Sequence, residues 1–173
     1  MLLDSLLTFD LRGCRRVAAW HRRAWVPRAF RCISFTADGW LYPLLPLGFL
    51  ARGPRPALAV LGQLALGFAF LIPAFKAAKH AVRRLRPGEG PWGLQQVIIP
   101  SDAFSFPSGH TSSAFLAATV AAAHVPLLAA VLFAWASLVA MSRVVLGVHF
   151  PSDVLAGAAM GVGCGLAAGG LAG

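Results

Sequence analysis

The chain has 173 residues, enough for one domain, of which 58% are hydrophobic and 12% charged, with a formal net charge of +9. A soluble domain carries about twice that charged fraction, and the mean hydropathy is +0.71, so the composition excludes an ordinary soluble globule and points to an integral membrane protein. Nucleic acid is not the expected partner of the positive charge, because long apolar runs break it into separate clusters; arginines near membrane ends suit lipid headgroups and the positive-inside bias.

In chain order, residues 1–32 read as an Arg-rich helix lying in the membrane interface. Arg12, Arg15, Arg16, Arg22 and Arg23 share one helical face, with Cys14, Val17, Ala18, Ala24 and Trp25 mostly on the other. No basic-then-apolar order with a cleavage site opens the chain, so a secretory signal is not expected. Residues 33–173 read as the transmembrane domain. Its first candidate span is 33–51, which is apolar but carries Asp38, Pro43 and Pro46. After a loop at 52–56 comes a second span over 57–75, close to the ~20 residues needed to cross the hydrocarbon, with Lys76 and Lys79 at its exit. A polar, Pro- and Gly-rich stretch runs to Phe106. Apolar segments at 111–124, 127–146 and 154–172 follow. The expected fold is therefore an all-α polytopic bundle of about five spans plus the interfacial helix.

The last segment repeats Gly157, Gly161, Gly165 and Gly169 every four residues, which lets another backbone approach closely. That partner is a helix of the same chain or of a second copy, as in a homodimer. Cys14, Cys32 and Cys164 are scattered without metal-ligand spacing, and no disulfide is expected.

Five spans put residues 1–32, the 76–110 loop and the 143–153 turn on one membrane side. Three polar signatures meet there: Lys79 to Pro87, Pro107-Ser108-Gly109-His110, and Ser142-Arg143 through His149 to Asp153. Singly, each has a bland reading, as a topology-setting basic patch or as histidines packed within the bundle. Together, on one face of a greasy protein, they suit a phosphoryl group. Lys79, Arg86 and Arg143 are donors for its oxygens. Ser108 and the Gly109 amide open a helix, where free N–H groups favour an anion. Asp153, four residues after His149, can hold one imidazole nitrogen and leave the other as nucleophile, with His110 remaining as general acid. A metal site from His110, His149 and Asp153 is the weaker alternative, since so many cations would repel it. Arg83 and Arg84 read as lip or headgroup contacts and His80 as incidental; Asp102, Gln95 and Gln96 lie in a loop able to cover the substrate.

These residues, Lys79…Arg86-Pro87, Pro107-Ser108-Gly109-His110 and Ser142-Arg143…His149…Asp153, match the pattern K-x6-R-P, P-S-G-H, S-R-x5-H-x3-D. In them the chain resembles the type 2 phosphatidic acid phosphatase (PAP2) superfamily, which shares its site with vanadium haloperoxidases. The resemblance implies a metal-independent lipid phosphatase with no cofactor. His149 would form a phosphohistidine, Asp153 would orient it, and His110 would protonate the leaving group. Lys79, Arg86, Ser108, Gly109 and Arg143 would bind phosphate. Undecaprenyl diphosphate is the favoured substrate, with phosphatidic acid, phosphatidylglycerophosphate and lipid A as alternatives. Outside this class stand a non-enzymatic membrane scaffold and a lipid transporter. Membrane members commonly have six spans, so the Arg-rich segment replaces the first. Seven arginines precede residue 32 on the site side, against Arg52 and Arg55 opposite, which favours the cytoplasmic face of the cell (inner) membrane, whereas many bacterial relatives that recycle undecaprenyl diphosphate face outward, the alternative.

Overall fold

The computed structural model describes residues 2–100 and 102–172, in which helices alternate with turns and no strand occurs among the described residues. Two helices, α1 (Leu2–Ala18) and α2 (Trp25–Phe35), make up the N-terminal region, with a 3-10 turn at Ala19–Arg22 between them. Cys14, Val17 and Val26 are buried against Val144, Val145, Phe150 and Val154, while Arg12, Arg15, Arg16, Arg22 and Arg23 are exposed. Ala24 and Trp25, expected on the apolar face, are exposed as well. The 3-10 turn resets the helical phase, so one continuous stripe cannot run through residues 1–31.

Residues 33–51 do not form one helix. After Phe35 the chain turns at Gly39 (φ +98), forms a 3-10 turn at Tyr42–Leu44 and a single-turn helix, α3 (Leu45–Gly48), and ends in another 3-10 turn at Leu50–Arg52. Pro43 and Pro46 each remove an amide donor, and i→i−3 bonds such as Phe49 N–H to Pro46 O (3.0 Å) satisfy what remains. The segment still runs the depth of the bundle. Asp38 meets His110 at one end, and Arg52 donates to the His124 carbonyl at the other (3.2 Å).

The bundle is built from α4 (Pro54–Val82), α5 (Gly109–His124), α6 (Ala129–Val145) and α7 (Pro151–Ala172). Among the described residues three segments, Pro54–Val82, Pro126–Val145 and Pro151–Leu171, are long and apolar enough to cross a membrane, where about five were expected. The first extends well beyond 57–75, so Lys76 and Lys79 lie on α4 itself rather than after it. Its 29 residues give about 43 Å of helix, more than the ~30 Å hydrocarbon core. Outward side chains such as Leu58, Leu61, Val131, Leu138, Leu155 and Leu166 are exposed, as befits surfaces solvated by lipid rather than water.

α5, with 16 residues, is about 24 Å long and is sheathed by the other three. Leu116, Ala117 and Val120 pack on Val60, Leu64 and Leu71 of α4. Ala114 and Ala118 pack on Ala136 and Val139 of α6. The glycine row of α7 takes the remaining side: a Cβ at Gly157 would sit 2.7 Å from Ser108 O, at Gly161 2.2 Å from Ser112 O, and at Gly165 2.9 Å from Thr119 Cβ. The partner of that row is therefore α5 of the same chain. Of the four glycines expected to serve this chain or a homodimer, Gly157, Gly161 and Gly165 are thus covered within the chain, and Gly169 has nothing within 4 Å. The antiparallel order brings the C-termini of α4 and α6 to the same end as the N-termini of α5 and α7. The positive ends of α5 and α7 thus lie beside the negative ends of α4 and α6, and the start of α5 is the part suited to an anion.

Candidate active site

Lys79 lies in the last turn of α4, which ends at Arg83 in the left-handed region (φ 49), its N–H bonded to Lys79 O at 3.0 Å. That turn, followed by Pro87, carries the chain across the bundle end. Lys79 and Arg86 are buried, and one carboxylate joins them. Lys79 Nζ is 2.5 Å from Asp102 Oδ2, and Arg86 Nη2 donates to Asp102 Oδ1. Arg86 also donates to the carbonyls of Val148 (2.6 Å), Asp102 (3.0 Å) and Phe104 (3.0 Å). Burial alone would raise the Asp102 carboxyl, but Lys79 and Arg86 hold it below the usual carboxylate range.

Ser108 is the N-cap of α5 and is fully buried. Its N–H donates to Asp153 O (3.1 Å), tying the two helix starts together. Its Oγ accepts from Thr111 (2.9 Å), so its own hydroxyl hydrogen is left to donate. The amides of the first turn, Gly109 and His110, have no intrahelical acceptor. A Cβ at Gly109 would lie 3.1 Å from the Phe75 ring, so glycine suits a backbone that approaches this closely. His110 Nε2 is 2.6 Å from Asp38 Oδ1.

Arg143, in the last turn of α6, is buried and donates to Ser34 Oγ of α2. The chain then turns through Gly147 (φ 73), where a Cβ would strike Gln95 O at 2.1 Å, and delivers His149 into the interior. Phe150 caps α7, Pro151 is its first residue and Asp153 its third. Asp153 Oδ2 reaches back to the Phe150 N–H at 2.8 Å, the carboxylate half of a capping box. His149 Nδ1 lies 3.7 Å from Asp153 Oδ2. Burial pushes the His149 imidazole down to about 4, reinforced by Arg143 and Arg86 and opposed by Asp153.

Among the described residues, three buried nitrogens at this end lack a hydrogen-bond partner: Arg86 Nε, Arg143 Nε and His149 Nδ1. Orphaned guanidinium donors are costly away from water, and an oxyanion would satisfy both. A cleft of about 920 Å³ opens beside Arg143, with His110, Gly109 and Asp38 among its polar lining and Tyr42, Phe68, Leu71, Ile72, Phe75 and Ile99 among its apolar lining. Among the described residues no three His, Cys, Asp or Glu side chains group as metal ligands.

All eight expected site residues thus lie at one end of the bundle: Lys79, Arg86, Ser108, Gly109, His110, Arg143, His149 and Asp153. Arg84, expected at the headgroup lip, instead turns inward. It donates to Asp153 Oδ1 (2.7 Å) and Asp10 Oδ2 (2.5 Å). Arg83 and His80 are exposed. Asp10, Asp38 and Asp102 join the site without sharing any motif spacing. One signal could have found them. The chain has six acidic residues, and four of them (Asp10, Asp38, Asp102 and Asp153) hold cations or a histidine at this end.

The family model for the PAP2 superfamily matches residues 56–169. Phosphatidylglycerophosphatase B of Bacillus subtilis is 36% identical over 98 residues, covering 50% of this chain and 45% of that protein. Lipid A 1-phosphatase of Porphyromonas gingivalis is 36% identical over 102 residues, covering 57% of this chain and 20% of that protein. The chain therefore spans less than half the length of these curated relatives. Among solved structures, LpxE of Aquifex aeolicus superposes with a TM-score of 0.77 at 26% identity, covering 92% of this chain and 93% of that one. The PAP2-type phosphatidylglycerolphosphate phosphatase of Bacillus subtilis superposes at 0.75 and 25% identity, covering 97% and 86%.

Proposed function

The chain belongs to the PAP2 superfamily, and from that premise we propose that it is a membrane lipid-phosphate phosphatase working through His149. The observation that carries this reading is the buried polar cluster at the convergent ends of α4–α7. There, Arg86, Arg143 and His149 each keep an unpartnered buried nitrogen, and Arg143, with Gly109 and His110, lines a largely apolar cleft. The cleft suits an acyl or prenyl chain, and the cluster suits its phosphate.

In the proposed mechanism Lys79, Arg86, Arg143, Ser108 and the first amides of α5 bind the phosphoryl oxygens and stabilise the charge that builds on them. His149 is neutral at pH 7, because burial disfavours its charged form. With Nδ1–H turned toward Asp153, its Nε2 attacks phosphorus while the P–O bond to the lipid breaks. His110 gives its proton to the departing oxygen. The product is a phosphohistidine at His149. Neutral His110 then takes a proton from water as that water attacks phosphorus, releasing inorganic phosphate and restoring both histidines. No step requires a metal or cofactor.

The relatives are a phosphatidylglycerophosphatase and a lipid A 1-phosphatase. Their names favour phosphatidylglycerophosphate or a lipid A phosphate over the polyprenyl diphosphate expected from sequence. Residues 1–32 would lie in the interface, their exposed arginines among lipid phosphates, with the site at the cytoplasmic face of the inner membrane. Phosphate release by the detergent-purified chain from phosphatidylglycerophosphate, lipid A, phosphatidic acid and undecaprenyl diphosphate tests the reading, with vanadate as the expected inhibitor. Release from none of the four would turn the interpretation toward a scaffold or transporter. Cys32 is exposed on α2 whereas Cys14 is buried. Labelling of Cys32 by an impermeant maleimide in inverted vesicles, but not in intact cells, is the result expected for a cytoplasmic site; the reverse pattern contradicts it.

A further inference from the structure

Arg84 is outside the family signatures, yet it is among the most heavily bonded side chains of the site. Its Nη1 donates to Asp153 Oδ1 and Ser152 Oγ, each at 2.7 Å, and its Nη2 to Asp10 Oδ2 at 2.5 Å. Its guanidinium carbon lies 4.1 Å from the centre of the Phe150 ring. Asp10, on α1, is fully buried. It accepts the Ser152 N–H on Oδ1 (2.8 Å) and the Ser152 hydroxyl on Oδ2 (2.6 Å). Gly13, nearly one turn further along α1, sits so close to α7 that a Cβ there would come within 2.6 Å of Pro151 Cγ. The N-terminal helix is thus seated on the first turn of α7, directly behind the His149–Asp153 pair.

A headgroup-facing arginine needs no such partners, and a carboxylate like Asp10 is costly to bury unless its charge is met. As an anion, Asp10 is unsuited to binding phosphate, and its recorded bonds all lead to Arg84 or Ser152. Arg84 in turn occupies the Asp153 oxygen that the Phe150 amide does not. Oδ1 is thereby fixed to Arg84, and Oδ2 is the oxygen left facing His149. The stack on Phe150 holds the residue next to His149 from the same side.

We infer that Arg84, held in place by Asp10 of α1, is a positioning residue that fixes the Asp153 carboxylate and the 149–153 turn behind His149. The inference rests on the phosphatase reading. It also extends the site beyond residues 56–169, the region that the family model matches, because the outer anchor comes from α1. Arg84 touches no substrate in this account. Its loss therefore slows the chemical step and leaves lipid binding alone.

The test uses the full chain in detergent with a lipid phosphate that it turns over, and compares Arg84→Met, Arg84→Lys, Asp10→Asn and the double variant Asp10→Asn/Arg84→Met. Arg84→Met is expected to lower kcat about 100-fold, the scale of a misplaced catalytic group, with KM within about twofold. Arg84→Lys recovers part of that loss, since one ammonium can hold one carboxylate but not both. Asp10→Asn lowers kcat about 10-fold, as outer-shell partners do, and adds nothing in the Arg84→Met background. Wild-type kcat in Arg84→Met, losses that multiply in the double variant, or a raised KM at unchanged kcat would each overturn the inference. If Arg84→Met does not fold, Arg84→Lys and Asp10→Asn read the same kcat-against-KM split. An unmodified chain inactive on every lipid phosphate removes the phosphatase reading and the inference with it; an active chain indifferent to Arg84 removes the inference alone.

Discussion

His149 Nδ1 and Asp153 Oδ2 stand 3.7 Å apart, beyond hydrogen-bonding range, while the same oxygen accepts the Phe150 amide at 2.8 Å. The pair is poised rather than joined. A neutral imidazole gains little from the carboxylate, whereas the positive charge that develops on the ring during attack would draw the two together.

A pH dependence follows from the burial of His149, whose imidazole is pushed from 6.5 down to about 4. The unfolded state binds the proton near 6.5 and the folded state only near 4, so stability rises with pH across that window. Between pH 6.5 and 4 the folded protein should lose on the order of 3 kcal/mol that a His149→Gln variant keeps. Thermal unfolding of both proteins in detergent at pH 7 and pH 4 measures the difference; equal losses would contradict it. For the same reason the acid limb of kcat/KM that reports neutral His149 should lie near pH 4 rather than 6.5.

Burial and Arg143 hold the His110 imidazole below its ordinary value, and the Asp38 carboxylate bonded to Nε2 at 2.6 Å opposes that shift, favouring the protonated ring that a general acid needs. Replacing His110 with Ala should lower turnover of an alkyl lipid phosphate by about 10²–10⁴-fold. The loss should be far smaller with p-nitrophenyl phosphate, whose leaving group departs without a proton. Asp38→Asn should reproduce the same pattern at smaller amplitude. An equal loss on both substrates would mean that His110 binds phosphate instead.

Asp102 engages Lys79 and Arg86, the cations assigned to the phosphoryl group. Its negative charge both holds them in place and competes with an incoming anion. Asp102→Ala should therefore tighten inhibition by inorganic phosphate or vanadate, about 10-fold for 1.4 kcal/mol of relieved repulsion, while lowering the thermal midpoint. Weaker inhibition would show that the carboxylate acts only as scaffold.

The close seat of α7 on α5 makes opposite predictions for two glycines on one helix. At Gly161 a Cβ meets the Ser112 carbonyl at 2.2 Å, a backbone atom that cannot swing aside, while at Gly163 nothing lies within 4 Å. Gly161→Ala should destabilise by about 1–3 kcal/mol through overpacking. Gly163→Ala should be neutral or gain up to about 1 kcal/mol of helix propensity. Thermal unfolding of the two variants side by side decides it, and equal effects would contradict the packing described.

The signatures that meet at the proposed site were legible in the sequence because they rest on local spacing: Ser108 and His110 share one helix start, and His149 and Asp153 one turn. Arg84 was misread for a local reason. In the run Arg83-Arg84-Leu85-Arg86 every cation looks alike, and only the left-handed turn at Arg83 sends Arg84 inward and leaves Arg83 outside. Asp10, Asp38 and Asp102 reach the site from distant parts of the chain, so no spacing marks them; their scarcity does. The break at 33–51 was partly visible in Pro43 and Pro46. Hydropathy alone, however, does not distinguish a spanning helix from a buried chain of turns, because both must be apolar at that depth. The glycine row announced a close helix contact, but periodicity on one helix cannot name its partner, and the answer lies in Ser108, Ser112 and Thr119 of α5.

The proposed chemistry depends on His149 as nucleophile. Its most direct test is to mix the purified chain with a ³²P-labelled lipid phosphate that it turns over, quench under alkaline conditions that preserve phosphohistidine, and map the labelled peptide. Label on the peptide carrying His149, absent from His149→Ala along with phosphate release, is the predicted result. Undiminished phosphate release by His149→Ala, or label on another residue, would contradict it.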